Sequence, residues 1–172
     1  MFPGTYEYAL TLQEKLGFAA KVYSSHMTPS YQEAKYGKLW EQGQEGMNKY
    51  NLINKKEPIE RALREVGATC WVAGLRRDQS ESRSELPVIE NRDEIFKLYP
   101  IIDWDNQKTY RYLPANGLPY HPLEGEGYVS LGDWHSTKKL SEVDNPEETR
   151  HGGFGRECGL HLDCPDVIDF NI

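Results

Sequence analysis

The chain has 172 residues, of which 38% are hydrophobic and 12% aromatic, a size and composition that suit one folded domain rather than a disordered chain. The formal net charge of −7 argues against nucleic acid as a main partner, because neutralising phosphates requires a basic face. No apolar run approaches the roughly 20 residues of a membrane span, no signal peptide is visible, and three irregularly spaced cysteines favour a reducing cytosol over a disulfide scaffold.

Apolar spacing, together with the positions of glycine and proline, predicts helices that alternate with strands. The predicted helices cover residues 5–16, 30–38, 57–66 and 106–116. The predicted strands cover residues 18–25, 69–75 and 95–102. The second strand is a nearly continuous apolar run, typical of burial on both faces, so Cys70 is expected in the core. Residues 40–56 are interpreted as a polar, glycine-containing segment. The alternation indicates an α/β fold with a mainly parallel sheet and flanking helices.

Arginines and serines follow directly after the predicted strand 69–75. Arg76, Arg77 and Arg83 lie there with Ser80 and Ser82. Ligands of parallel sheets bind beyond the carboxyl ends of strands, and guanidinium groups and hydroxyls suit phosphate or sulfate oxygens. A competing interpretation is a solvated loop whose arginines form surface ion pairs. The acids available for such pairs are Asp78, Glu81 and Glu85.

A cysteine near the C-terminus has the surroundings of a reactive thiol. Cys158 follows a glycine-rich run and lies between Arg156 and His161. A cysteine on a mobile tail can enter a site, react and leave, and nearby cations lower the pKa of a thiol. Taken alone, such a cysteine is more often incidental than catalytic. The basic side chains of this region either gather a polyanionic substrate or are ordinary surface charge; they are Lys138, Lys139, Arg150 and Arg156.

Half of a metal site could be formed by Cys158, His161 and Cys164. A structural zinc site usually needs four ligands in two separated pairs. The sequence offers no second pair, so no metal is predicted.

Five segments together resemble the phosphoadenosine phosphosulfate reductases, the cluster-free branch of the sulfonucleotide reductase family. They read KYGKLWEQG, WVAGLRRDQSESR, PIIDWDN, YHPLEGEGYVSLGD and RECGLH, in the order of the family. The resemblance implies an adenine nucleotide alpha hydrolase-like (Rossmann-like) fold. Within one domain, residues 1–140 would form part of the sulfonucleotide-binding α/β unit, and residues 141–172 a mobile tail carrying the catalytic cysteine.

The resemblance also implies a reaction. The Cys158 thiolate attacks the sulfur of 3′-phosphoadenylyl sulfate (PAPS), adenosine 3′,5′-bisphosphate leaves, and reduced thioredoxin or glutaredoxin releases sulfite from the S-sulfocysteine. This chemistry serves sulfate assimilation in the cytoplasm, and a homodimer is usual for the family. The substrate-binding residues implied by position are Lys55, Arg76, Arg77, Arg83, Arg150 and His161.

A sister branch of the family reduces adenosine phosphosulfate and holds a four-iron cluster with paired cysteines and a later CxxC motif. The corresponding positions here are Tyr50, Asn51, Asp133 and Ser136. Four thiolates are needed and the sequence has three cysteines, so no iron–sulfur cluster is expected.

The family normally begins with a strand, a serine- and glycine-rich phosphate loop and a second strand, all before the segment MFPGTY. We therefore expect an N-terminally truncated chain that binds substrate poorly alone and leaves apolar surface bare. The alternative function is a non-catalytic sulfonucleotide-binding or redox-interaction fragment.

Overall fold

A computed structural model describes residues 1–92 and 95–149 of the chain. The helices are α1 (Pro3–Leu16), α2 (Pro29–Tyr36), α3 (Gly43–Asn51), α4 (Glu57–Glu65) and α5 (Asn106–Ala115). The strands are β1 (Cys70–Val72), β2 (Ile89–Arg92) and β3 (Ile95–Leu98). None of the helices in the described part of the chain is long and apolar enough to cross a membrane.

The four predicted helices are confirmed as α1, α2, α4 and α5, with ends shifted by one or two residues. Local chemistry sets these ends. The Thr28 hydroxyl accepts a hydrogen bond from Tyr31 N at 3.3 Å, and the Asp105 carboxylate accepts one from Lys108 N at 2.6 Å, so α2 and α5 each begin with a side-chain cap. Gly17 ends α1 in the left-handed region, with φ of 67°, as glycine does most readily.

The three strands form one mixed sheet in the order β1–β3–β2. β1 pairs with β3 in parallel, with Trp71 beside Lys97. β2 pairs with β3 antiparallel, with Glu90 opposite the same lysine. The α/β class is therefore confirmed, whereas the mainly parallel sheet is corrected to a mixed one. Only two residues separate β2 from β3 in the sequence, too few for the crossover that a parallel pairing requires.

Two predictions about strands were wrong. Residues 18–25 form no strand, and Val22 is 79% exposed; an extended segment needs a neighbouring strand to take its backbone hydrogen bonds. The run 69–75 yields only the short β1, which lies at the edge of the sheet. Cys70 is exposed and Val72 is 60% exposed, so β1 is not buried on both faces and Cys70 is not a core residue.

The segment 40–56, interpreted from the sequence as polar and glycine-containing, is mostly helical. Helix α3 continues into a π-helical stretch, Leu52–Lys56, which leads directly into α4. Met47, Tyr50 and Ile53 recur every three residues and are all buried. This apolar spacing is the helical signal, and Gly43 and Gly46 obscured it because glycine disfavours helix interiors.

Two buried clusters form the core of the described residues. The first gathers side chains of α3 and of the π-helical stretch with residues from the preceding segments: Met27, Leu39, Met47, Tyr50 and Ile53, with Tyr36 and Trp40 packed against it. The second lies where β1 and β3 end: Leu75, Tyr99 and Ile102, with Ala73 and Leu86 packed against it. These clusters fix α3 and the carboxyl ends of the parallel strands, which carry the polar groups described next.

A substitution at Gly46 can test how closely α3 packs against Leu39. A β-carbon there would overlap the Leu39 carbonyl oxygen and lie 2.6 Å from Gln42 Cβ. We expect Gly46→Ala to lower the free energy of unfolding by about 1–3 kcal/mol, the usual cost of overpacking, although alanine ordinarily stabilises a helix relative to glycine. Urea denaturation of the purified chain measures this change.

Gly4→Ala is the matched control, because its β-carbon would lie 3.7 Å from Pro122 Cβ in ordinary contact. We expect this variant to be neutral or slightly stabilised. Equal behaviour of the two variants would contradict the close approach of α3 to Leu39.

Candidate functional site

The segments that follow β1 and β3 run side by side beyond the sheet. Ala73 N donates to Leu98 O at 2.9 Å, and Arg77 N donates to Ile102 O at 2.9 Å. This alignment brings residues 76–83, called here the arginine loop, beside the first turn of α5. The carboxyl ends of parallel strands are the usual ligand-binding edge of such a sheet, so the arginine loop occupies the predicted location.

Arg76 ties the arginine loop to α5. The residue is 8% exposed. Its Nη1 lies 3.2 Å from Asp78 Oδ2 and 3.2 Å from Thr109 Oγ1, and its Nη2 donates to Asn106 Oδ1 at 2.8 Å. The predicted pairing with Asp78 is thus present, but the guanidinium is buried and bound on two sides rather than solvated.

Gln79 joins Arg76 to Arg83. Its Oε1 accepts from Arg76 N at 3.3 Å and from Arg83 Nη1 at 2.5 Å. Arg83 is 8% exposed, so two buried guanidinium groups are held within one short loop. The Ser80 and Ser82 hydroxyls lie 2.8 Å apart and hydrogen-bond with each other.

Arg77 is anchored differently from the other two arginines. Its Nε and Nη2 donate to Leu86 O at 3.0 and 2.6 Å, and its Nη1 bonds the carboxylate of Asp103. Asp103 follows β3 and was not among the acids considered from the sequence. The carboxylate lies far along the chain but close in space because the two post-strand segments run together.

Lys55 belongs to a second cluster, centred on Asp133. Lys55 Nζ lies 3.5 Å from Asp133 Oδ2, and both side chains are nearly buried, at 14% and 12% exposed. The ammonium also lies 5.8 Å from the centre of the Tyr50 ring. Lys55 is part of the π-helical stretch, and π-helical turns within helices occur frequently at functional sites.

Burial and charge together set the protonation of this cluster. Burial raises the pKa of Asp133, but the charges of Lys55, the Met1 amino group and His135 outweigh burial and hold that pKa below its ordinary value of 3.8. The pKa of Tyr50 is raised, mainly by burial and to a smaller extent by the negative charge of Asp133. The cluster therefore contains an ionised carboxylate and a neutral phenol.

His135 packs among the aromatic rings of the same cluster. Its ring centre lies 4.0 Å from that of Trp40 and 5.3 Å from that of Tyr50. Burial is the largest influence and lowers the pKa of the imidazole below 6.5; Lys55 acts in the same direction, and Asp133 opposes them.

A cavity of about 390 Å³ lies beside Lys55. Its polar lining is Lys21, Tyr23, Asn54 and Lys55, and its apolar lining is Pro58, Ile59, Ala62, Leu63 and Val66. The apolar side chains whose spacing predicts helix 57–66 therefore line this cavity rather than a closed core. A lysine ammonium beside an apolar wall can bind the charged part of a ligand whose remainder is apolar.

The positions of the sister branch's cysteines partly converge in the structure. Asp133 lies close enough to Tyr50 to raise the pKa of its phenol, and Asn51 and Asp133 each carry a buried oxygen without a hydrogen-bond partner in the described part of the chain. No thiol is among these side chains. Within residues 1–92 and 95–149, no group of three or more His, Cys, Asp or Glu side chains is arranged to hold a metal ion.

The structure thus groups some of the predicted site residues and separates others. Arg76, Arg77 and Arg83 share the arginine loop, whereas the contacts described for Lys55 are with Asp133 and Tyr50. The predicted residues Cys158, His161 and Arg150, together with Arg156 and Cys164, lie outside the described residues. Among the other basic side chains, Lys139 pairs with Glu126 at 3.6 Å, which fits ordinary surface charge.

Sequence reasoning missed the roles of Gln79, Asp103 and Asp133. Gln79 lies within the recognised arginine loop, but no sequence pattern shows which acceptor an arginine will use. Asp133 was noted only as a position lacking cysteine. Asp133 ends YHPLEGEGYVSLGD, one of the five segments that resemble the family. No local pattern links it to its partner Lys55, which is distant in sequence.

Residues 1–139 match the model of the phosphoadenosine phosphosulfate reductase domain family. A phosphoadenosine 5′-phosphosulfate reductase of Cronobacter sakazakii is 55% identical over 161 residues, which cover 94% of this chain and 66% of that protein. The protein of the same name from Zymomonas mobilis is 54% identical over the same shares of both chains. The chain therefore spans 66% of the length of these curated relatives.

A solved structure of a reductase is also similar to this chain, at lower sequence identity. The chain resembles the crystal structure of a phosphoadenylyl-sulfate reductase from Candida auris in complex with phosphate, with a TM-score of 0.65 and 32% sequence identity. The match covers 80% of this chain and 66% of the other.

The lowered pKa of His135 predicts that the free energy of unfolding depends on pH. Because its folded-state pKa is lowered, the unfolded chain binds more protons between the folded and unfolded pKa values, and stability falls as the pH decreases through 6.5. The loss levels off below the folded-state pKa. We expect His135→Gln to reduce the stability lost between about pH 7.5 and pH 5.5. Urea denaturation at several pH values measures the free energy of unfolding. If its dependence on pH is the same in the variant and the wild type, burial does not lower the pKa of this imidazole.

Proposed function

Because the chain belongs to the phosphoadenosine phosphosulfate reductase domain family, we propose that it catalyses the reduction of PAPS to sulfite and adenosine 3′,5′-bisphosphate in sulfate assimilation. The observation that carries the proposal is the family match over residues 1–139, which contains the entire arginine loop and Lys55. In this proposal residues 1–140 form an adenine nucleotide alpha hydrolase-like (Rossmann-like) unit, and residues 141–172 carry the reactive thiol.

The arginine loop supports the proposal through its chemistry. PAPS carries a phosphosulfate and a 3′-phosphate, so a reaction with a thiolate brings negatively charged groups together. Arg76 and Arg83 are both 8% exposed and are held by hydrogen bonds. Donors whose orientation is fixed before the substrate arrives stabilise developing charge most effectively. We assign Arg76, Arg77 and Arg83, with Lys55, to binding the anionic groups of PAPS.

The chemical steps balance with a thiol and a dithiol carrier. The Cys158 thiolate attacks the sulfur of PAPS; an S–S bond forms, the S–O bond to phosphate breaks, and adenosine 3′,5′-bisphosphate leaves. The product is an S-sulfocysteine. A thiolate of thioredoxin or glutaredoxin then attacks the Cys158 sulfur and expels sulfite, and the second thiol of the carrier resolves the mixed disulfide. Two electrons come from the carrier, so the proposed reaction uses no iron–sulfur cluster.

Two further residues are proposed to assist the thiol. Arg150 would bind phosphate or sulfate, and His161 would lie near the reacting sulfur, where a cation favours the thiolate. The proposed location is the cytoplasm, where reduced thioredoxin is available, and the proposed assembly is a homodimer.

Cys158 provides the direct test. We expect Cys158→Ser to abolish sulfite release, because serine at neutral pH is a far weaker nucleophile than a thiolate. The wild-type chain incubated with PAPS should gain the mass of one sulfo group on Cys158, and reduced thioredoxin should remove it. Intact-mass and peptide mass spectrometry measure both steps.

Cys164→Ser is the matched control and should retain activity. If it is also inactive, Cys164 acts as a resolving thiol and the one-cysteine mechanism is wrong. If the wild-type chain acquires no adduct, the alternative of a non-catalytic sulfonucleotide-binding or redox-interaction fragment replaces the proposal.

Arg83 tests the anion-binding part of the proposal. Arg83→Lys keeps the charge but removes the planar guanidinium that can bind two oxygens at once. We expect the KM for PAPS to rise by about tenfold, in line with the loss of one charge-assisted hydrogen bond. Steady-state kinetics measure it, and thermal unfolding shows whether the variant remains folded. A folded variant with an unchanged KM would remove Arg83 from the substrate site.

A further inference from the structure

Lys55 is held in an unusual setting, because it belongs to a π-helical stretch and lines the cavity while its ammonium faces a buried carboxylate. Its Nζ lies 3.5 Å from Asp133 Oδ2, and it contributes to the lining of the 390 Å³ cavity beside α4. A lysine side chain has four rotatable methylene groups and ordinarily moves freely. Here the carboxylate restricts where the charge can lie.

The carboxylate of Asp133 does not stabilise its own segment through a capping hydrogen bond. The backbone oxygen of Asp133 accepts hydrogen bonds from Thr137 Oγ1 at 2.8 Å and Ser136 N at 3.1 Å. The side chain, in contrast, makes no capping hydrogen bond to the 3₁₀ turn Trp134–Ser136 that it precedes. The local fold therefore depends on the main chain of Asp133, and its carboxylate is available to Lys55.

We propose that Asp133 is a positioning residue that holds the Lys55 ammonium at the wall of the cavity, where it binds an anionic group of the sulfonucleotide. This inference rests on the proposed function. The interaction with Asp133, at 3.5 Å, is a charge pairing rather than a hydrogen bond, so it positions the ammonium while the N–H donors can turn to the ligand. Asp133 acts through Lys55 and does not contact the substrate.

The charge arrangement explains why a carboxylate suits this position. A nearly buried ammonium without a counter-charge loses hydration without compensation, and its long side chain would turn toward solvent. Asp133 supplies that counter-charge from a segment distant in sequence, itself 9% exposed. Within residues 1–92 and 95–149, the other charged or titratable groups facing Asp133 are the Met1 amino group, His135 and Tyr50.

Amine labelling tests the pairing without reference to catalysis. The chain is treated with limiting acetic anhydride, and site-resolved mass spectrometry compares Lys55 with Lys21, an exposed lysine of the same cavity. We expect Lys55 to react more slowly than Lys21 in the wild type and several-fold faster in Asp133→Asn. Asp133→Glu should restore slow labelling.

Glu126→Gln is the matched control, because it removes the same charge from a different lysine pair, with Lys139. It should leave the labelling of Lys55 unchanged. If Asp133→Asn does not change the labelling of Lys55 relative to Lys21, the proposal is overturned.

A double-mutant cycle tests the consequence for PAPS reduction. We expect Asp133→Asn to lower kcat/KM by about tenfold to a hundredfold, the loss typical of a displaced binding group. In a Lys55→Met background the same substitution should cause no further loss, because Asp133 acts only through Lys55. Asp133→Glu should recover most of the activity, whereas independent, multiplicative losses would overturn the positioning role.

The cycle also separates this inference from the proposed function. If the wild-type chain does not reduce PAPS, the proposed function fails. The positioning role is then decided by labelling alone: slow labelling that depends on Asp133 supports it, and labelling that does not depend on Asp133 refutes it.

Discussion

Backbone hydrogen bonds between the two parallel strands continue past their ends, and the position of the arginine loop depends on them. Ala73 N bonds Leu98 O and Arg77 N bonds Ile102 O, both at 2.9 Å. Because these bonds join main chain to main chain, they fix the start of the loop whatever side chains it carries. The buried cluster of Leu75, Tyr99 and Ile102 lies at the same place. A slip of one residue would turn each side chain to the opposite face, exposing this cluster, so register and packing support each other.

Both cationic groups face carboxylates, but the arginine loop adds neutral acceptors. Arg76 pairs with Asp78, and Arg77 pairs with Asp103. Neutral oxygens also orient the guanidinium groups: Asn106 Oδ1 for Arg76, Leu86 O for Arg77 and Gln79 Oε1 for Arg83. Neutral acceptors fix the direction of the N–H groups without cancelling their charge. Lys55 faces the Asp133 carboxylate, so its field is largely local, and its contribution depends on geometry more than on long-range attraction.

The sequence predicts features that depend on local chemistry and fails where distant partners decide. Four helices followed from apolar spacing and the positions of glycine and proline, and the arginines were correctly placed beyond the carboxyl end of a strand. Helix α3 was missed because its glycines are unfavourable in isolation, although Gly46 is required by the close approach to Leu39. β2 was missed because the link to β3 lacks the Asn-Gly or Asp-Gly signal of a tight hairpin. The predicted strand 18–25 failed because strand pairing is a property of two segments. In the same way, the Lys55–Asp133 pair joins residues that no local pattern connects.

The exposure of Cys70 on β1 has a practical consequence for any assay that counts sulfhydryls. Alkylating reagents will modify this side chain whatever the state of Cys158, so a total thiol titration overstates the amount of the proposed nucleophile. Replacing Cys70 with serine removes that background from an already exposed position. Conversely, a single fluorophore attached there would report on β1, the edge strand of the sheet within the described residues, where a neighbouring polypeptide would add if the molecule were to associate through its strands.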